Sequence, residues 1–140
     1  MLNRFYVDNI INTALAEDIN YIDVTTDNLL QDDDVSEAYF VAKDSGILCG
    51  IDVAARVFDL AGGNVEKEIL LKDGAPIKKG DYIAFFRGSA KTLLKGERTA
   101  LNLIQHMSGI ATAANECVKL VEGTNASIAD TRKTLPGLRA

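Results

Sequence analysis

The sequence is poor in metal-binding residues and has no long apolar run. Its two cysteines, Cys49 and Cys117, stand far apart, with no Cys-x-x-Cys pair and no Cys/His cluster. That argues against a zinc site or a disulfide framework and leaves two reduced, buried thiols as the expectation. His106 is the only histidine. In a helical stretch among apolar neighbours it reads as structural rather than catalytic. The chain shows no Ser-His-Asp set, no P-loop and no GxGxxG, so nucleophilic hydrolysis and mononucleotide or dinucleotide folds of those types are not indicated. No stretch approaches the roughly 18 apolar residues needed to cross a bilayer. Acids and asparagines interrupt the apolar N-terminal stretch MLNRFYVDNIINTALAED, so it does not read as a signal peptide, and a cytoplasmic location without membrane attachment is expected.

The 140 residues are 47% hydrophobic and 25% charged, enough to bury a core. The net charge of −5 is unevenly spread. Residues 1–90 carry 8 basic and 16 acidic groups, whereas residues 91–140 carry 7 basic and 4 acidic. The overall sign argues against nucleic acid as a partner. The basic C-terminal third is where an anion would be met, although from charge alone a plain solvated surface is the favoured reading.

Apolar spacing predicts a helix over residues 3–17, with Phe5, Ile10, Ile11, Ala14 and Leu15 on one stripe. Residues 18–27 read as a polar turn region and Asp32–Asp34 as a loop. Strands are expected at residues 37–43, 64–71 and 82–86, with a turn cluster at residues 72–81. A helix is expected over residues 51–60, stopped by Gly62 and Gly63. Ser89 can cap a long helix that breaks near Ser108–Gly109, resumes, and ends at Gly123. Residues 126–130, ASIAD, then read as a short buried strand that runs into a basic loop.

In that loop, Arg132 offers a planar fork suited to carboxylate or phosphate, and Lys133 a mobile point charge. Thr131 and Thr134 add hydroxyls, and Pro136–Gly137 forces a turn. Basic loops are common, so composition alone leaves an anion cradle and a solvated loop both open. Glu97 and Arg98, inside the long helix, read by themselves as surface residues.

The motifs together are more specific. GERTALNLIQHMSGIATAANECVKLVEGTNASIADTRKTLPGLR (residues 96–139) resembles quinolinate phosphoribosyltransferases, whose pattern is ERTxLNxLQxxSGIAT, a spacer helix, a strand and DTRKTxPGLR. Upstream, ALAEDINYIDVTT is similar to that family's ALxEDxxxGDxTT, GILCG to its GxxAG, and DGAPIKKGD to its turn before a Gly-Asp pair. The likeness covers essentially the whole chain in order. It departs at Ile22, where glycine is usual, at Cys49, where alanine is common, and in length, since family members are longer.

The resemblance implies an α+β N-terminal domain over residues 1–107, an open α/β sandwich of hammerhead or barrel-sandwich type. Residues 108–140 would supply the first helix and strand of an incomplete α/β barrel. It implies transfer of a phosphoribosyl group from 5-phosphoribosyl-1-pyrophosphate to quinolinate with decarboxylation, giving nicotinate mononucleotide, pyrophosphate and CO2. By the same likeness, Arg132 clamps a quinolinate carboxylate and Lys133 serves the phosphoribosyl or pyrophosphate side, with Thr131 beside them. Arg98 would reach into a neighbouring subunit's site, so a homodimer with shared sites, or a higher oligomer, is implied. Mg2+ is implied as well, with its ligands on later barrel strands outside this sequence, and the 140 residues alone are expected to be inactive.

Three other readings are open. A phosphoribosyltransferase-like protein of the molybdenum-transport type would share the architecture. A lipoyl- or biotinyl-like carrier would share the turn DGAPIKKGDYIAFF, but it needs a lone lysine at a hairpin tip, and none is present. A folded, non-catalytic interaction module is the third possibility.

Overall fold

The computed structural model describes residues 3–19, 23–135 and 137. The readings attached to Ile22, Pro136 and Arg139 fall outside these residues. The order of elements is α1 (Arg4–Ile19), α2 (Val24–Leu29), β1 (Val35–Val41), β2 (Gly46–Ile47), α3 (Ile51–Ala61), β3 (Val65–Ile69), β4 (Pro76–Ile77), β5 (Tyr82–Ser89) and α4 (Ala90–Val121).

Three antiparallel strands form the main sheet in the order β1-β5-β3, and β2 and β4 form a separate two-stranded ribbon. Side chains alternate across the sheet with period two. On the inner face, Phe40 and Phe86 meet Phe58 of α3, with ring centroids 4.8 Å apart for Phe40–Phe86 and 4.7 Å for Phe58–Phe86. On the other face Tyr39 packs against its register partner Phe85 at 4.9 Å and edge-on against Tyr82 at 5.6 Å. Tyr39 and Tyr82 are exposed. The sheet is therefore covered on one side only, an open α/β sandwich with no closed barrel among the described residues.

Helices α3, α4 and α1 form the covering layer. Ile51, Ala54, Ala55, Val57 and Phe58 of α3 are buried, which matches its apolar spacing. In α1 only Ile11 and Leu15 are buried, and Phe5 is 85% exposed, so the apolar stripe expected there contributes less than its sequence suggests. A bidentate pair between Arg56 and Asp8, with Nε and Nη2 each 2.9 Å from a carboxylate oxygen, ties α1 to α3.

Three sequence expectations are corrected. Residues 24–29 are helical, not part of a turn region, because Asp23 Oδ1 accepts from the Thr26 backbone N–H at 3.1 Å and caps a turn whose polar composition hid it. Helix α4 has no break at Ser108–Gly109. A glycine costs a helix only about 1 kcal/mol, and here tertiary bonds from Ser108 and Thr112 hold the helix through it. Residues 126–130 form no strand and are exposed, since no described strand lies beside them to take up their backbone groups. The helix expected to open the barrel is thus present as the second half of α4, and the barrel strand is not.

Candidate functional site

The long helix α4 carries three cations on one face, at the i, i+4 and i+7 positions Lys91, Lys95 and Arg98. Each meets an acid from the segment that precedes the sheet. Lys91 pairs with Asp32, Lys95 with Asp27 at 2.6 Å, and Arg98 with Asp18 at 2.9 Å. As α4 advances, its partners step backward along the chain, so α2 and its flanking loops run antiparallel to α4. The hydrogen bond from Lys91 holds the Asp32 carboxyl below its ordinary pKa, and the Lys91 amine is raised in return. Neither this ladder nor Asp18 was foreseen; the only sequence signal was the spacing of the three cations, since their aspartates lie 59, 68 and 80 residues earlier in the chain.

A cleft of about 610 Å³ lies beside the ladder, lined by α1 and α4, with Asp18, Lys95, Arg98, Asn102 and Gln105 among its polar walls. Arg98 is 76% exposed, far more than Lys91 or Lys95. Thr131, Arg132 and Lys133 are also exposed, but none of them lines this cleft. In the loop, the Lys133 backbone N–H donates to Thr131 Oγ1 at 3.3 Å, a local turn that sets the two side by side. Farther on, the Tyr6 hydroxyl of α1 donates to the Gly137 carbonyl. Within this chain Arg98 and the Thr131–Lys133 loop are thus separate cationic features.

The SGIAT stretch (residues 108–112) does structural work. Ser108 Oγ accepts from Cys49 N–H at 3.0 Å and donates to the Cys49 carbonyl at 3.2 Å. Thr112 Oγ1 accepts from Ile47 N–H at 2.9 Å and donates to the Ser108 carbonyl at 2.7 Å. These bonds need α4 close to GILCG, and its two glycines permit the approach. A Cβ on Gly46 would lie 2.6 Å from Thr112 Oγ1, and one on Gly50, whose φ is 92°, would lie 2.5 Å from Met107 Sδ. Two motifs distant in sequence are thereby one joint.

The cysteines and histidine depart from expectation. Cys117 is exposed and Cys49 only half-buried, so neither is a fully buried thiol. Burial, together with the charge of Asp73, pushes the Cys49 thiol pKa up, which disfavours the reactive thiolate. His106 is exposed on α4 rather than packed in the core. Among the described residues no three His, Cys, Asp or Glu side chains converge to hold a metal ion. Among the same residues no helix is long and apolar enough to cross a membrane.

Comparison with known proteins sets these features in a family. Residues 23–108 match the model of the quinolinate phosphoribosyl transferase N-terminal domain, and residues 110–140 match that of its C-terminal domain. A probable carboxylating nicotinate-nucleotide pyrophosphorylase of Bacillus subtilis is 40% identical over 99% of this chain and 47% of its own length. The carboxylating nicotinate-nucleotide pyrophosphorylase of Mycobacterium leprae is 43% identical over 93% of this chain and 47% of its own. Among solved structures, NadC from Streptococcus pyogenes superposes with a TM-score of 0.91 at 34% identity, covering 97% of this chain and 48% of that one. The nicotinate-nucleotide pyrophosphorylase of Francisella tularensis gives 0.90 at 34%, covering 98% and 48%. The chain spans about half the length of the relatives it matches. The molybdenum-transport and carrier alternatives gain no support from these matches. With both domain models matched in sequence order and the fold reproduced over nearly its whole length, the chain belongs to the quinolinate phosphoribosyl transferase family.

Proposed function

We propose that this chain serves phosphoribosyl transfer to quinolinate with decarboxylation, as part of a complete enzyme whose barrel carries the rest of the site. The observation that supports this most is the match to both family domains along one chain, with Arg98 exposed on the helix that joins them. In this reading residues 1–107 are the N-terminal sandwich and residues 108–140 begin the barrel.

The reaction couples a pyridine dicarboxylate with a polyphosphorylated sugar. The ring nitrogen attacks C1 of the ribose as pyrophosphate leaves, through an oxocarbenium-like state. The pyridinium so formed accepts the electron pair left behind when the 2-carboxylate departs as CO2. Both substrates are polyanions, so the protein's contribution is positioning and charge neutralisation rather than a nucleophile. Arg132 pairs with a quinolinate carboxylate, Lys133 with phosphate oxygens, and Thr131 donates beside them. Arg98 contributes to the neighbouring subunit's site, which makes the working unit a homodimer with shared sites or a higher oligomer. Mg2+ belongs with the pyrophosphate substrate in this reading; the described acids form no cage for it. A cytoplasmic enzyme without nucleic-acid or membrane partners completes the proposal.

The test joins residues 1–140 to the remaining barrel half of the Bacillus subtilis relative and assays nicotinate mononucleotide formation with Mg2+ present. The joined protein should be active, and Arg132→Ala should weaken quinolinate binding by about 1.5–3 kcal/mol, the worth of a charge-assisted pair. Mixing Arg98→Ala with Arg132→Ala subunits should restore part of the lost activity. An inactive joined protein, or unchanged quinolinate affinity in Arg132→Ala, overturns the assignment; mixed subunits as inactive as either parent overturn the shared site.

A further inference from the structure

The three ion pairs along α4 are not equivalent. In the pairs of Lys91 and Lys95 the cation is folded down, with side chains 21% and 23% exposed. In the third the relation is reversed: Asp18 is 22% exposed and Arg98 is 76% exposed. The acid is the fixed member, set at the end of α1, and the guanidinium stands out over the cleft of about 610 Å³.

The geometry of the contact matters as much as its charge. Asp18 Oδ1 accepts from Nη1 alone, at 2.9 Å. Nε and Nη2 of Arg98 make no hydrogen bond among the described residues. A guanidinium is planar and carries five N–H donors. One bond to a fixed carboxylate therefore restricts the swing of a long side chain while leaving other donors of the same plane available to a second anion. An exposed pair of this kind adds little to folding stability, because solvent screens it and ordering the side chain offsets the attraction. Its effect falls on where Arg98 is before a ligand arrives.

We propose that Asp18 is a positioning residue that pre-orders Arg98 for an anionic substrate bound by a second copy of the chain. The inference rests on the role of Arg98 given above. Without Asp18, Arg98 must be ordered at the moment of binding, which costs about 0.5–1.5 kcal/mol for a long side chain and corresponds to a roughly 2- to 12-fold loss of affinity. The loss appears in KM and not in the stability of the fold.

The experiment uses the same joined protein, and compares Asp18→Asn, Asp18→Glu, Arg98→Ala and Asp32→Asn. Asp32→Asn breaks the Lys91 pair, which has the same chemistry but no projecting cation. Asp18→Asn should raise the KM for quinolinate about 3- to 10-fold with kcat changed less than about 2-fold. Asp18→Glu, which keeps the charge, should recover part of the loss, and Asp32→Asn should leave KM unchanged. In the 140-residue chain itself, NMR of the Arg98 side-chain N–H groups should show slowed rotation that disappears in Asp18→Asn. Equal KM rises in Asp18→Asn and Asp32→Asn, or an Arg98 signal indifferent to Asp18, overturns the positioning role. If Arg98→Ala itself leaves KM and kcat at wild-type values, the fault lies instead in the assignment of Arg98, which separates the two failures.

Discussion

Residues 90–104 and 105–121 belong to one unbroken helix, yet they live in different surroundings. In the first half Ala90, Thr92, Leu93, Gly96, Thr99, Ala100 and Ile104 are buried against α3 and the sheet. In the second half no residue is buried, and Ile110, Val118 and Leu120 are exposed. Both halves are helical, and both carry apolar side chains at helical spacing. Periodicity thus shows which side chains could share a face, and only the neighbouring elements decide whether that face is covered.

The sharpest way to break this contrast is by truncating side chains. Phe58→Ala, in the aromatic cluster beneath the first half, should cost about 3–5 kcal/mol by urea denaturation, from lost burial and the cavity left behind. Leu120→Ala, 83% exposed, should change stability by no more than about 0.5 kcal/mol. Similar losses at the two sites would mean that the second half is covered after all. Thr112→Val tests one of the two places where the second half is tied down, the other being Ser108. It keeps the shape but leaves the Ile47 N–H without its acceptor, and should cost about 1–3 kcal/mol in the same assay.

Acid should act on the other side of the comparison. The hydrogen bond from Arg56 lowers the Asp8 pKa, and that from Lys91 lowers the Asp32 pKa. Burial pushes Asp59 up, but Lys67 and Arg56 pull it further down. For each group the folded pKa lies below the unfolded one. The stabilisation they give is therefore present above the unfolded aspartate value of about 3.9 and is lost as pH falls through the lowered folded values. Thermal unfolding followed from pH 6 to pH 3 should show the melting temperature dropping below about pH 4. Replacing Asp8 by asparagine should flatten part of that drop, whereas the exposed Asp32 should contribute little, and an unaltered acid profile in Asp8→Asn would count against its pair with Arg56.

Much of the sandwich was legible because its signals are local. A run of β-forming residues marked β1, apolar residues on one face marked β3, the short run YIAFF marked β5, apolar spacing marked α3, and Ser89 marked the start of α4, where its side chain accepts from the Thr92 N–H. Helix α2 was hidden because VTTDNL lacks an apolar face and depends on a cap from Asp23. The supposed break at Gly109 was misread because the bonds that carry the helix past it come from residues about sixty positions away. Arg98 was singled out through the family motif, but its partner was not, since Asp18 lies eighty residues earlier. A strand at residues 126–130 could not be judged from its own residues, because strand structure is a property of pairs.

The joint between GILCG and α4 also bears on how the ribbon's backbone groups find partners. Along residues 47–49 the backbone groups alternate in direction: Leu48 bonds the 74–75 turn through both N–H and C=O, while the Ile47 N–H and both groups of Cys49 meet helix hydroxyls. The backbone groups on this side of the ribbon are satisfied by two side chains instead of by further sheet. Replacing serine and threonine at residues 108 and 112 by apolar residues would leave the Ile47 N–H and both backbone groups of Cys49 without these partners.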